Sequence, residues 1–355
     1  MDGHDLLIYG ATGYTGRLAA AEAVRRGLAP VLAGRDEAAV GALAASLGVP
    51  HRAFGLDDPE AIRAGLAGAR AMLHCAGPFV RTARPMQSAC LGASAGYLDI
   101  TGEIPVFERT IALDARARAA GVAFVSGVGF DVVPTDCLAA LLAEALPDAT
   151  HLDLAFTSRG GSWSAGTVKT MIESFPYACA ARRNGKIVPR PLAAERLDVD
   201  FPFGRRRCAA IAWGDVSTAF HTTGIPNIRT FAAFPPAQLR LLTALRYLLP
   251  LAGVRPVKRL LQRLAGRAVA GPDEAAHAHA RSFAWGRAWN DAGEAVVGTI
   301  ETPEAYAFTA VAAVECAVRL LAGRVAPGAW TPARAFGPGL AGELPGVVVG
   351  PVRRA

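Results

Sequence analysis

The sequence predicts an α/β chain: an N-terminal doubly wound parallel sheet, then a second α+β domain containing a mostly antiparallel sheet. Three observations lead there. The first half alternates short apolar runs with helical patterns, as strands joined by crossover helices do. The leading strand, residues 5–9, runs straight into Gly10-Ala11-Thr12-Gly13-Tyr14-Thr15-Gly16. Beyond residue 150 the alternation gives way to strands between turn signals, clearest in a hairpin over 280–301 turning at Asn290-Asp291-Ala292-Gly293.

The glycine stretch organises the chain. A strand feeds a tight turn, and the turn opens a helix that reaches about residue 26. Gly10 makes the turn, Gly13 lets backbone approach a pyrophosphate, and Gly16 lets helix and strand pack closely. The helix N-terminus offers N–H groups and partial positive charge to the phosphates. Three glycines alone mark a loop. Following a strand and opening a helix, they predict dinucleotide binding by all of residues 10–16.

The next strand, 30–34, ends at Arg35-Asp36. An acid at this strand end grips a ribose 2′-hydroxyl, whereas an arginine suits a 2′-phosphate, so Arg35 points to NADP(H). The alternative for Arg35 is a solvated surface arginine. Asp36 reads as the cap of a helix over 37–47. A third strand, 51–56, ends at Asp57-Asp58, where Asp57 could flank the adenine or both could cap the helix from Pro59. A fourth strand, 69–75, runs into the turn Cys75-Ala76-Gly77-Pro78-Phe79, placed beside the cofactor because open α/β sheets bind ligands at strand carboxyl ends. A helix over 85–94, a fifth strand over 96–100, Thr101-Gly102-Glu103 and a sixth strand over 122–126 follow. The sixth ends in Gly127-Val128-Gly129-Phe130-Asp131, and Pro134 starts the next helix.

The second domain opens with a strand over 150–158, a loop at 160–162 and a helix over 166–180. A long helix over 303–322 follows the hairpin, and residues 331–337 return to the first domain. The expected division is therefore 1–148, 149–322 and a returning segment 323–355. Residues 216–272 contain no Asp or Glu but eight Arg or Lys, with amphipathic spacing over 239–249 and 254–264. A basic amphipathic pair over 236–267 suits an anionic membrane surface or an acidic acyl carrier protein; the alternative is an ordinary helix pair covering a sheet.

Whole-chain composition bounds the rest. At 355 residues two domains fit, and 52% hydrophobic with 19% charged residues describes a globular chain. No window offers the roughly 20 uncharged apolar residues of a membrane span. The acidic opening running into a strand predicts no signal peptide. Six scattered cysteines without a Cys-x-x-Cys pair fit a reduced cytoplasm and no metal site. The net charge of +7 comes with no nucleic-acid motif.

Residues 9–16, Ala33-Gly34-Arg35, 75–79, Tyr97-Leu98-Asp99-Ile100-Thr101-Gly102-Glu103 and Gly129-Phe130-Asp131-Val132-Val133-Pro134 resemble the saccharopine dehydrogenase-like oxidoreductases. Trp213-Gly214-Asp215-Val216-Ser217, Gly224-Ile225-Pro226-Asn227 and the segment 331–337 resemble the trans-acting enoyl reductase branch of that family. The resemblance implies NADP, a Rossmann domain, and an inserted α+β domain closing over the nicotinamide. It implies less about substrate, because some relatives act on C=N bonds of amino-acid adducts and others on C=C bonds of lipid or polyketide chains.

Hydride chemistry belongs to the nicotinamide, and the protein must place the acceptor and manage charge at the far atom. Reduction of an α,β-unsaturated thioester leaves an enolate that needs a donor. Tyr97, Asp99 and Glu103 are the catalytic candidates by strand-end position, with core packing and capping as their bland alternatives. From the second domain Lys169, Tyr177 and His221 are the substrate-side candidates, although His221 reads as lying in an apolar strand, where a packed histidine is the alternative. Runs such as Arg205-Arg206-Arg207 read as surface loops, while four tryptophans and the apolar helices suit a lipophilic substrate. The leading expectation is an NADPH-dependent reductase of a C=C bond in an acyl or polyketide-type substrate. A saccharopine-type C=N reductase and a non-catalytic NADPH sensor or membrane scaffold are the alternatives. A cytoplasmic homodimer, peripheral at a membrane if 236–267 binds one, completes the expectations.

Overall fold

A computed structural model describes residues 5–159, 179–191, 193–235, 237–240 and 280–355. The chain forms two compact units, Met1–Val133 with Tyr306–Gly337, and Pro134–Ala305 with Pro338–Ala355.

In the first unit, β1 (Leu6–Tyr9), β2 (Val31–Gly34), β3 (His51–Ala53), β4 (Ala71–His74), β5 (Gly96–Asp99) and β6 (Ala123–Ser126) form a parallel sheet. The strand Gly328–Trp330 adds to it beside β6, giving the order Gly328–Trp330, β6, β5, β4, β1, β2, β3. The chain reverses direction across the sheet at β1, where β2 and β4 flank it. Such a reversal opens a crevice at the carboxyl ends of the strands. The helices are α1 (Tyr14–Arg25), α2 (Glu37–Leu47), α3 (Pro59–Gly65), α4 (Phe79–Ala93), α5 (Ile104–Ala112) and α6 (Asp114–Ala119). Ile62, Met86, Cys90 and Ala117, from α3, α4 and α6, pack with Leu7, Met72, Tyr97 and Phe124 on one sheet face. The opposite face takes the helix Ala305–Leu321. A Cβ on Gly96 would lie 2.6 Å from Leu320, and Arg26 at the end of α1 pairs with Glu315 at 2.6 Å.

In the second unit, α7 (Val133–Ala145) lies over a mixed sheet of β7 (His151–Arg159), β8 (Ala180–Arg183), β9 (Lys186–Pro189), β10 (Arg196–Phe201), β11 (Gly204–Ile211), β12 (Asn227–Ala233), β13 (Arg281–Trp289) and β14 (Ala295–Pro303). β7 and β12 run parallel; the other pairings are antiparallel. Gly286 and Gly298 let α7 approach, since a Cβ at either would lie 2.6 Å from Leu142 or 2.9 Å from Leu138. This unit also holds α8 (Asp215–Thr223). No described helix is long and apolar enough to cross a membrane.

The fold class and most elements match the sequence reading, including α2 at Glu37–Leu47 and the hairpin of β13 and β14. Three expectations are corrected. The long helix packs with the first unit, while residues 338–355 return to the second, where Val348–Val349 and Arg353–Arg354 pair with β14. Helical periodicity reveals an apolar face but not the sheet it covers. Next, α4 starts at Phe79, six residues before Pro85, which lies inside the helix. Proline reads as a helix start, but here a carboxylate from elsewhere in the chain caps the earlier start. Lastly, His221, expected in an apolar strand, sits on α8, bounded by Gly214 and by Gly224 at φ +76°. The predicted helix over 166–180 and the basic pair over 236–267 lie largely outside the described residues.

Candidate functional site

The turn after β1 is built by glycine. Gly10 has φ +81°, and a Cβ there would lie 2.8 Å from both Cβ and N of Ala76. A Cβ on Gly16 would lie 2.2 Å from the Gly10 carbonyl oxygen. No side chain fits at either place. The Gly10 and Ala11 amides donate to the Ala33 carbonyl at 2.8 and 3.1 Å, tying the loop to β2. Ala11 is buried, Thr12 accepts from Arg17 through its carbonyl at 3.0 Å, and Tyr14 meets Tyr306 edge-on at 5.1 Å. Gly13 is the exposed N-cap of α1 and brings no side chain to the first-turn amides, which include that of Thr15. This uncapped, side-chain-free cradle fits a pyrophosphate.

Arg35 and Asp57 are exposed beyond β2 and β3, and both charges reach the Tyr9 hydroxyl, which donates to the Phe54 carbonyl at 3.0 Å. Burial pushes that hydroxyl up to about 12, with Arg35 opposing and Asp57 adding. Asp36 caps α2 through the Ala39 amide at 3.0 Å, and Asp58 caps α3 through Glu60 at 2.9 Å.

The turn after β4 is held by a buried polar chain. The Thr82 hydroxyl donates to the Ala76 carbonyl at 2.7 Å and lies 2.9 Å from His74 Nε2. Its one proton being used, it accepts from His74, which assigns the neutral Nε2–H tautomer. Burial pushes the His74 ring down to about 3, so it stays neutral. Ala76, Gly77 and Pro78 line this turn, with a cis Gly77–Pro78 bond. Burial, then the Asp99 charge, push the Cys75 thiol up to about 12, which makes it no nucleophile. Phe79 is buried edge-on to His74, its ring 5.3 Å away.

The three carboxyl-edge candidates turn out to support this frame. Glu103 accepts the Phe79 and Val80 amides at 2.9 and 2.7 Å, and so caps α4 from the far side of a turn. Asp99 is fully buried and accepts from the Thr101 and Gly127 amides and the Ser126 hydroxyl at 3.1, 3.0 and 2.9 Å. It pins the turn after β5 to the turn after β6. Tyr97 is 0% exposed, with its hydroxyl beside the Asp99 carboxyl. Burial first, then Asp99, push that hydroxyl well above its ordinary value. Packed between Met72 and Phe124 on neighbouring strands, it is a core residue rather than a donor to substrate.

The residue that sequence reasoning passed over is Asp131, on the turn after β6. Its carboxylate lies 2.9 Å from where a Cβ on Gly102 would stand, next to Glu103. Burial, with the Glu103 charge adding, pushes it up to about 7, the range a general acid needs at neutral pH. The signal was present: an acid in a glycine-rich turn at a strand's carboxyl end, the same placement that singled out Glu103.

In the second unit α8 carries His221, half-buried and edge-on to Phe220 at 5.4 Å. Thr135 donates to Asp215 at 2.5 Å and Thr222 to Asp136 at 2.6 Å, which fastens α8 to α7. Lys169 and Tyr177 lie outside the described residues. Among those described, no cluster of His, Cys, Asp or Glu could hold a metal ion.

No family model matches the chain. It is 33% identical over 184 residues to a putative trans-acting enoyl reductase of Mycobacterium tuberculosis, a match covering 48% of this chain and 43% of that one. It is 29% identical over 201 residues to a trans-acting enoyl reductase of Mycobacterium bovis, covering 53% and 48%. The chain thus spans about half the length of the curated relatives it matches. Among solved structures, saccharopine dehydrogenase (L-Glu forming) of Saccharomyces cerevisiae superposes with a TM-score of 0.67 at 12% identity, covering 99% of this chain and 100% of that one. The chain therefore has the saccharopine dehydrogenase fold and, over about half its length, the trans-acting enoyl reductases as relatives, as its motifs led one to expect.

Proposed function

We propose that this chain is an NADPH-dependent oxidoreductase that reduces a C=C bond of a lipophilic acyl or polyketide-type enoyl substrate. The observation that carries the reading is the glycine-built turn of residues 10–16, tight at Gly10 and Gly16, at the sheet's reversal point, with Arg35 exposed at the end of β2. The enoyl part leans on the names of the sequence relatives.

The first-turn amides of α1 would hold the pyrophosphate, Arg35 the 2′-phosphate, and the turn 75–79 would flank the nicotinamide. When bound, that group supplies a hydride. The chain's own part is to hold a proton. After hydride reaches the β-carbon, the Asp131 O–H bond breaks and a C–H bond forms at the α-carbon. The carboxylate left behind regains its proton from water. Asp99 and Glu103 keep the turns in register, and His221, Lys169 and Tyr177 are the substrate-side residues in this reading.

Two measurements test it. NADPH and NADH are titrated against the wild type and Arg35→Ala by fluorescence; a preference for NADPH that the substitution removes is expected, and equal affinities in both proteins would sink the cofactor assignment. NADPH deuterated at C4 is then offered with enoyl thioesters. Deuterium in the saturated product supports the reading. Label found only in a secondary amine, from an oxo acid and an amine, would establish the C=N reductase, and tight binding without transfer would leave an NADPH sensor.

A further inference from the structure

A row of buried polar side chains runs through the first unit from α4 to the end of β5. The Gln87 amide nitrogen lies 2.8 Å from the Thr110 hydroxyl oxygen. That oxygen lies 2.8 Å from the Val106 carbonyl, one turn back in α5, and 2.8 Å from the Ser126 hydroxyl. Ser126 in turn lies 2.9 Å from Asp99 Oδ2. Gln87, Thr110 and Ser126 are 1% exposed and Asp99 0%, so the row must satisfy itself. Its protons can be counted. Gln87 brings its own to Thr110. Three contacts remain, Thr110 to Val106, Thr110 to Ser126 and Ser126 to Asp99, and two hydroxyls supply two protons. If Asp99 is a carboxylate, Ser126 donates to it, and Thr110 donates either to Ser126 or to Val106. One pair of oxygens is then left 2.8 Å apart with no proton between them. Turning the Gln87 amide around adds a further contact that needs a proton and deepens the shortage. A proton on Asp99 Oδ2 closes the count. The carboxyl is arranged for it: the Thr101 and Gly127 amides both fall on Oδ1, at 3.1 and 3.0 Å, as on the carbonyl oxygen of a neutral acid.

We propose that Asp99 is a positioning residue that works as a neutral acid: Oδ2 carries a proton and donates it to Ser126, Ser126 donates to Thr110, and Thr110 donates to the Val106 carbonyl, which ties the ends of β5 and β6 to α5 without a charge. An anion held in the crevice at this edge then meets no fixed negative charge from Asp99. As pH rises through its midpoint the proton leaves, Ser126 turns to the carboxylate, Thr110 turns to Ser126, and Val106 is released. Burial, opposed by the hydrogen bonds, pushes Asp99 in the same direction, up. The titratable groups around it are these. On β4 its register partner His74 is neutral, and the Cys75 thiol beyond is pushed up to about 12. On β5 the Tyr97 hydroxyl beside the carboxyl keeps its proton, and on α4 burial keeps Cys90 a thiol. Glu103, the N-cap of α5, is held by the Phe79 and Val80 amides, and within α5 Glu108 is partly exposed and Arg109 exposed. Asp131, after β6, packs against Gly102. The proposal holds independently of the reading of Asp131 as a proton source.

The test follows the proton. The nucleotide-free protein, labelled with 13C at Asp carboxyls, is titrated by NMR as wild type, Thr110→Val and Thr110→Ser; the signal missing from Asp99→Asn is that of Asp99. In the wild type the Asp99 midpoint is expected at about pH 6 or above, roughly two units over an ordinary aspartate, and a lower midpoint overturns the proposal. Thr110→Val removes the acceptor that keeps the Ser126 proton away from Asp99. The ionised form gains, and the midpoint should fall by about one unit, a tenfold change in the ratio of the two forms. Were Asp99 a carboxylate fed by Thr110 through Ser126, the same substitution would remove a donor and raise the midpoint. A midpoint unmoved or raised in Thr110→Val therefore overturns the proposal. Thr110→Ser keeps the hydroxyl and should keep the wild-type midpoint; a fall equal to that of Thr110→Val would trace the shift to packing and overturn it as well. Should Thr110→Val fail to fold, the wild-type midpoint and Asp99→Asn decide. Asparagine presents an N–H to Ser126 and a carbonyl to the two amides, and it cannot ionise. Its Tm relative to the wild type should climb from about pH 4 to about pH 8, because the wild type loses the contribution of the protonated acid as pH rises. A difference that does not grow with pH overturns the proposal.

Discussion

The two units bury carboxylates in opposite ways. In the first, Asp99 and Glu103 are held by backbone amides and a hydroxyl, and the Asp131 carboxyl packs against Gly102. In the second, Asp153 is gripped by both arms of Arg229 at 2.7 Å, and Glu195 accepts from Arg229 at 2.8 Å and Arg190 at 2.9 Å. Burial works against the Arg229 charge, yet its hydrogen bonds and proximity to Asp153 and Glu195 push it further up. Burial likewise opposes the Glu195 charge, and the two arginines still hold it below the usual carboxylate range. The arginines hold Glu195 below the usual range, whereas at Asp153 burial outweighs Arg229 and pushes the carboxyl up. Backbone amides favour the ionised form of Asp99, while burial opposes it and pushes the carboxyl up. The first arrangement suits a reaction edge, and the second suits a sheet that must keep its shape.

The sharpest way to break the contrast is Arg229→Met. It leaves Asp153, 3% exposed, without its counter-charge, and is expected to cost ~3–5 kcal/mol in denaturant unfolding. A cost below about 1 kcal/mol would show the pair to be dispensable.

Acid gives the next effect, from His74. Its native value of about 3 lies below the unfolded value near 6.5, so below pH 6.5 the unfolded chain binds a proton that the native state refuses. Stability from this group is full above pH 6.5 and is lost at up to about 1.4 kcal/mol per pH unit as pH falls toward 3. His74→Gln should flatten the acid side of a Tm-against-pH curve; an unchanged slope would place the acid sensitivity elsewhere.

Asp131 has the reverse sign. Its native value of about 7 lies above the unfolded value near 4, so its contribution is full below pH 4 and is lost as pH rises through 7. Asp131→Asn should therefore gain in Tm relative to the wild type from pH 5 to pH 8. A pH-independent difference would refute the raised value.

The smallest effect sharpens the comparison on the other side. Arg205 and Arg207 pair with Asp200 and Asp198 across β10 and β11, both at 2.9 Å, with all four side chains exposed. Arg207→Ala should change stability by less than about 0.5 kcal/mol, because exposed pairs are screened by water and salt. A loss as large as that of Arg229→Met would mean that burial is not what separates the two.

Much of the site could be read in the sequence, and the limits of that reading are specific. Residues 10–16 are local: strand, turn and helix N-terminus follow one another, so spacing states their arrangement. Asp36 caps α2 as expected because a cap is also local. Glu103 was singled out by its place at a strand end, yet its partners are the amides of Phe79 and Val80, more than twenty residues earlier. Tyr97 looked like a donor for the same reason and is sealed in the core, since position along a strand does not say which face a helix will cover.

What the sequence determined by itself was therefore the alternation of elements, the glycine cradle and the local caps, all of which depend on residues within one or two turns of each other. Tertiary structure decided which unit the helix Ala305–Leu321 joins, where α4 begins, and which polar groups at the carboxyl edge are buried. Those outcomes depend on burial and on charges brought together from distant parts of the chain. A carboxyl's proton affinity is set by the field and donors around it, and these exist only once Gly102, Glu103 and Asp131 have met.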